Sequence, residues 1–198
     1  MAFKQLETTR WIARVGTWIA TVGYFVLEIL KSFLNFKEED NLFTKGIKTT
    51  DLAIRRVAYF VADYGLTVVS VGIFATMKTL EFSFLGTFLA LWSFDFVVAG
   101  SFIVFYEKTG KDLSLGEDFR RATDTIHKRS QLAGYGVALS VIVLAIVWTG
   151  PEKVITFFRK EIETIPRIIV VLLILTAIQS FIWTILYGFG SDILAKLF

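Results

Sequence analysis

Four apolar runs, each near the ~20 residues that a helix needs to cross a bilayer, alternate with charged segments along the chain. They are Val57–Met77, Phe82–Tyr106, Leu132–Thr149 and Ile168–Phe189. The runs are too long and too uniform for the alternating strands of a barrel, and lipid obliges the backbone to satisfy itself within helices. Only the few residues around Thr79–Glu81 separate the first two runs, which predicts a tight antiparallel hairpin. The fold class read from this pattern is all-α: a polytopic helical membrane bundle in one domain spanning 1–198.

A fifth run, Trp11–Leu30, supports two readings. Its charge-free stretch, Val15–Leu27, is short for a span. Arg14 and Glu28 at its ends could snorkel and restore full length, or the helix could lie in the interface. Arg10, Arg14, Thr17, Thr21, Tyr24, Glu28 and Lys31 recur at alternating steps of three and four, so they share one narrow face. That stripe either lines a polar path and docks on neighbouring helices, or turns toward water from an interfacial helix.

The charged segments predict short amphipathic surface helices. Ser114 and Glu117 have capping-box spacing before a helix that starts near Leu115 and runs on toward the third clear span. Glu152–Thr164 alternates apolar and charged residues and predicts an amphipathic helix on the outer surface. Asp51 has the character of an N-cap before Leu52, and Pro166 suits the first turn of the last span.

Basic residues orient the bundle. Lys31–Arg56 and Glu107–Arg129 carry six Lys and Arg each, which predicts that both segments are cytoplasmic. Counting spans from there places the carboxyl terminus in the cytoplasm too, with the plasma (inner) membrane as the expected location.

Composition agrees with a membrane protein. Of the 198 residues, 55% are hydrophobic, mean hydropathy is +0.62 and net charge is +3. No basic face gathers the excess charge, which argues against nucleic acid as a partner. The expected partners are the lipid bilayer and further copies of the chain or other membrane subunits. There is no Cys and one His, His127, so thiolate metal sites, bis-histidine sites and thiol catalysis are excluded. No GxSxG setting or phosphate-binding glycine loop occurs. The expectation is no enzyme, no cofactor and no metal.

Polar residues within the apolar runs carry the candidate function. Asp95 lies 12 residues before Glu107 and 13 after Phe82, roughly 18–20 Å from either end of its helix. An ionised carboxylate at that depth is costly, so it should face the bundle, hold a proton or make an interhelical hydrogen bond. Asp63 lies seven residues past Arg56, on a face shared with Tyr59, Thr67 and Ser70. It is either a transport residue or half of an internal salt bridge, with Arg14 or Arg10 as the partner. Gln179 falls near the depth of Asp95, and an Asp95–Gln179 hydrogen bond is expected. Asp63 and Asp95 on adjacent helices resemble the pair of intramembrane aspartyl proteases, but Trp92–Ser93–Phe94–Asp95 stands where that family has GxGD. Two readings follow. One is a non-enzymatic membrane subunit that works by helix packing, oligomerisation and cytoplasmic contacts. The other is an oligomeric proton or ion channel, or an ion-coupled transporter, using Asp95 and Asp63.

Overall fold

The computed structural model describes Thr17 and residues 20–197, and of residues 192–197 the backbone alone. Arg14 and Arg10 lie outside the described residues, as does most of 11–19. The described chain is helical: α1 (residues 20–33), α2 (Leu42–Thr79), α3 (Phe84–Thr109), α4 (Gly116–Arg129), α5 (Gln131–Leu144), α6 (Glu152–Phe157) and α7 (Ile165–Leu197). A single π turn, Ala145–Thr149, prolongs α5. Four helical stretches among the described residues are long and apolar enough to cross a membrane: Leu42–Thr79, Phe84–Thr109, Gln131–Thr149 and Ile165–Ser191. The architecture is an all-α helical membrane bundle.

Three long helices, α2, α3 and α7, form its centre. The predicted hairpin joins α2 to α3: α2 ends at Thr79, and the Ser83 hydroxyl caps α3 by accepting from the Gly86 N–H. Helix α7 then runs antiparallel to α3. Its start packs Ile168 and Leu172 against Ala99, Ile103 and Ile155. Further along, Phe181 meets Phe84 and Phe88 near the start of α3. The Trp92 indole donates to the Thr176 hydroxyl at 3.1 Å, a satisfied polar contact of the kind that holds helices together in lipid.

These contacts fix which ends lie together. The end of α2 meets the end of α7 where Lys78 donates to Ser191 at 2.5 Å. The start of α7 lies instead beside the end of α3, where Arg159 pairs with Glu107 at 2.7 Å. The segments 31–56, 107–129 and 151–167 therefore gather at one end of the bundle, here called the basic end, and Ser191 is at the other. The end of α7 at Ser191 thus lies opposite the segments 31–56 and 107–129. Helix α5 with its π turn, Gln131–Thr149, is long and apolar enough to cross a membrane, as the third apolar run predicts. A break at Ser130 turns α5 back along α4, with Gly134 seated against His127, and its π turn returns to the bundle beside Tyr59.

Two surface-helix expectations also change. Residues Glu152–Phe157 are all buried, because α6 is enclosed by α3, α4 and α7 rather than lying on the outer surface. Gly116 makes this possible: a β-carbon there would overlap Thr156 and the backbone of α6. Second, Ser114 does not cap α4. The buried Asp112 carboxylate takes the Glu117 N–H at 2.8 Å and the Ser114 N–H at 2.9 Å, a stronger charge-assisted arrangement. Asp51 is no cap either. Helix α2 starts earlier, capped by Asn41, and Asp51 pairs with Arg55 one turn on at 3.0 Å.

Candidate functional site

Helix spacing brings the polar residues of the central helices to one place. On α2, steps of three and four put Tyr59, Asp63, Thr67 and Ser70 on one face, and that face looks inward. Asp95 projects from the middle of α3, and Gln179 from α7. All three sequence candidates, Asp63, Asp95 and Gln179, line a single cavity of about 90 Å³ between α2, α3 and α7. That volume holds several waters. Trp148, Trp183 and Tyr187 form an aromatic wall on one side, with Trp183 5.2 Å from Tyr187 and 6.2 Å from Trp148.

A fourth polar wall residue was missed in the sequence. Glu152, the first residue of α6, reaches the same cavity and is only 4% exposed. Its approach depends on Gly150, which adopts φ +93° before Pro151. Any side chain would be strained in that conformation, and a β-carbon would fall on the Glu152 carboxyl. The Gly150–Pro151 pair was legible as a helix end. Its second role, clearing space for a buried acid, was not.

The hydrogen bonds inside the cavity differ from the expected ones. Asp95 accepts from the Ser180 hydroxyl at 2.5 Å rather than pairing with Gln179. Ser180 sits one residue beyond Gln179, on the side of α7 that faces α3. Asp63 is half-buried at the cavity wall. Arg14, the expected partner on the first helix, lies outside the described residues, and the described part of α1 docks on α4. Glu28 pairs with Arg129 of α4 at 2.6 Å, Ser32 donates to the Arg121 carbonyl at 2.8 Å, and Thr21 bonds back to Thr17 at 2.9 Å. Glu28 thus belongs to a helix–helix contact at the basic end, Thr21 bonds within its own helix, and neither lines the cavity.

No Lys or Arg lines the cavity, yet three carboxyl groups do. Positive charge comes close around Tyr59. Lys153, next to Glu152, lies 5.8 Å from the Tyr59 ring and 5.5 Å from the Phe119 ring, and burial lowers its proton affinity. Arg56 stands 5.9 Å from the Tyr59 ring. Burial also raises the proton affinity of Glu152, to about 7, with Asp63 adding to the rise and the Tyr59 hydroxyl opposing it. Among the described residues no His, Asp and Glu group is disposed to hold a metal ion.

The basic end is rigidly tied. Arg55 donates to the Asp112 carbonyl at 2.9 Å and reaches Asp118 at 3.4 Å, while Arg121 pairs with Asp118. Asp112 and Asp118 are 2% and 1% exposed, so these are buried, compensated charges of the kind that fix geometry. Ser114 and Thr156 meet at 2.9 Å and attach α6 to the same hub. Comparison with known proteins returned no matching family, curated protein or solved structure.

Proposed function

We propose that this chain is a non-enzymatic integral membrane protein that takes a proton or a small hydrated cation into the cavity between α2, α3 and α7. The observation that carries the reading is the meeting of Asp63, Asp95 and Glu152 around one cavity large enough for several waters, without a basic residue in its wall. Three ionised carboxylates in low dielectric repel one another and lose hydration, so such a space favours bound protons or a bound cation.

The chain is small for a complete transporter, which favours action with further copies or with other membrane subunits. By the excess of basic residues, the basic end faces the cytoplasm of a plasma (inner) membrane. With Ser191 at the opposite end, this orientation puts the carboxyl end of α7 outside, the reverse of the placement counted from sequence. A second reading, a subunit without transport of its own, draws on the start of α2. There Leu42 and Phe43 are 88% and 78% exposed and suit a contact with another membrane protein.

The test is purified protein in liposomes, challenged in turn with proton, sodium and potassium gradients. The reading expects one of these gradients to collapse faster than in protein-free vesicles, and Asp95→Asn to remove the effect. Well-folded protein that leaves all three gradients intact overturns it and favours the second reading.

A further inference from the structure

The larger cavity has a neighbour. A smaller one of about 10 Å³, close to the size of one water, is lined by Asp112, Ser114, Thr156, Phe102, Ile103, Leu113 and Glu152. It lies toward the basic end, within the Asp112 hub. Phe102 and Glu152 line both cavities, and of these two only Glu152 can carry a proton. Phe102, the other shared wall residue, packs on Tyr59 at 5.4 Å.

Counting hydrogens at Tyr59 adds a second constraint. Its hydroxyl lies within hydrogen-bond reach of the Thr149 carbonyl and, at 2.5 Å, of Glu152 Oε1. A phenol has one proton to give, and a carbonyl can only accept. Both contacts are satisfied together only when Glu152 is protonated: Glu152 then donates to the Tyr59 oxygen, and Tyr59 donates to Thr149. When Glu152 is ionised, Tyr59 must choose, and the carboxylate is the stronger acceptor. The hydroxyl then donates to Glu152, and the carbonyl at the end of the π turn loses its partner. Such π turns recur at functional sites.

We propose that Glu152 is the proton-exchange group between the intramembrane cavity and the basic end, with the Tyr59 hydroxyl as its two-position switch. The proposal rests on the proton form of the function given above. In the loaded state Glu152 is neutral and Tyr59 holds Thr149. Glu152 then gives its proton, through water in the larger cavity, to the carboxylate of Asp63. One O–H bond breaks at Glu152 and one forms at Asp63. Tyr59 turns to donate to the new Glu152 carboxylate. A proton arriving from the small cavity restores the Glu152 O–H, and Tyr59 returns to Thr149. The net change is one proton moved from the basic end into the cavity.

The groups facing Glu152 fit this role. From α2 come Arg56, Tyr59 and Asp63; from α3, across the cavity, Asp95; from the α3–α4 link, Asp112; from α6 itself, Lys153; and from α7, Gln179 and Tyr187. Burial dominates and holds the proton affinity of Glu152 at about 7, where a relay group exchanges most readily at neutral pH.

The experiment pairs difference infrared titration of carboxyl groups in lipid nanodiscs with proton flux in liposomes. The variants are Glu152→Gln, Tyr59→Phe and Asp95→Asn. The proposal expects a carboxyl band that titrates near neutral pH in the wild-type protein, is missing in Glu152→Gln, and titrates at higher pH in Tyr59→Phe. It also expects Glu152→Gln to slow proton flux by at least about ten-fold. Wild-type flux that persists undiminished in Glu152→Gln overturns the relay and leaves the transport reading standing. Absence of wild-type proton flux overturns the proton form of the function, and the relay with it. If Glu152→Gln does not fold, wild type and Tyr59→Phe decide. No carboxyl titration near neutral pH, or none that Tyr59→Phe moves upward, overturns the proposal.

Discussion

The Tyr59 hydroxyl meets Glu152 Oε1 at 2.5 Å, joining residues 93 positions apart and locking the buried helix α6 to the central helix α2. Tyr59 is 2% exposed and Glu152 4%, so water cannot replace this contact without the two helices separating.

A pH dependence of stability follows from that pair. The folded protein raises the proton affinity of Glu152 from the ordinary 4.5 to about 7. Protons are therefore bound more tightly in the folded state than in the unfolded one. The contribution of the neutral form is complete below about pH 4.5 and is lost as pH rises through about 7. Thermal unfolding in nanodiscs should show lower stability at about pH 8 than at about pH 5.5, by about 2 kcal/mol. Glu152→Gln should flatten this part of the profile. A slope of the opposite sign over the same window would contradict the buried position of the acid.

Gly150 should tolerate no side chain. Gly150→Ala places a β-carbon on the Glu152 carboxyl and forces alanine to φ +93°. The expected loss is about 2 kcal/mol or more, combining backbone strain with displacement of a buried acid. Chemical denaturation in mixed micelles measures it. Gly136→Ala, where nothing lies within 4 Å of the added carbon, serves as the comparison and should change stability by less than about 1 kcal/mol.

The hub under α4 should depend on Asp112. Its carboxylate accepts from the Ser114 and Glu117 N–H groups and from the Ser114 hydroxyl at 2.7 Å. Asp112→Ala leaves buried donors without partners and should cost about 3 kcal/mol. Asp112→Asn retains part of the network and should cost less. Proteolysis of the 107–129 segment should report the difference, with faster cleavage in the alanine variant.

The arrangement of helix ends can be read with single cysteines, because the chain has none of its own. Cysteines at Lys45 and Lys111 should label from one side of the membrane, and one at Ser191 from the other. Labelling of all three from the same side would contradict the packing of Lys78 against Ser191.

Much of the bundle was legible in the sequence, and the reason is local. Asp63, Asp95 and Gln179 stood out because each interrupts an apolar run, and helix spacing alone was enough to turn them inward. The hairpin at Thr79–Ser83 and the helix end at Gly150–Pro151 also rest on short-range chemistry. Glu152 was not legible. It sits in a segment whose alternation of Val154, Ile155 and Phe157 with charged residues matches a surface helix, and only the closure of α3, α4 and α7 around it makes it a core residue. The break at Ser130 was read through because both flanks favour helix, although Ser130 itself starts α5 as its N-cap, its hydroxyl accepting from the Ala133 N–H at 3.3 Å.

In the proposed function the cavity of Asp63, Asp95 and Glu152 gives protons a place inside the membrane. Acidification inside liposomes carrying a trapped pH reporter, driven by a potassium diffusion potential, tests this with wild-type protein and Asp95→Asn compared at equal incorporation. Acidification well above that of empty vesicles is expected for the wild type, and a return to the empty-vesicle rate for Asp95→Asn. Wild-type protein no faster than empty vesicles, or Asp95→Asn as fast as wild type, would contradict it.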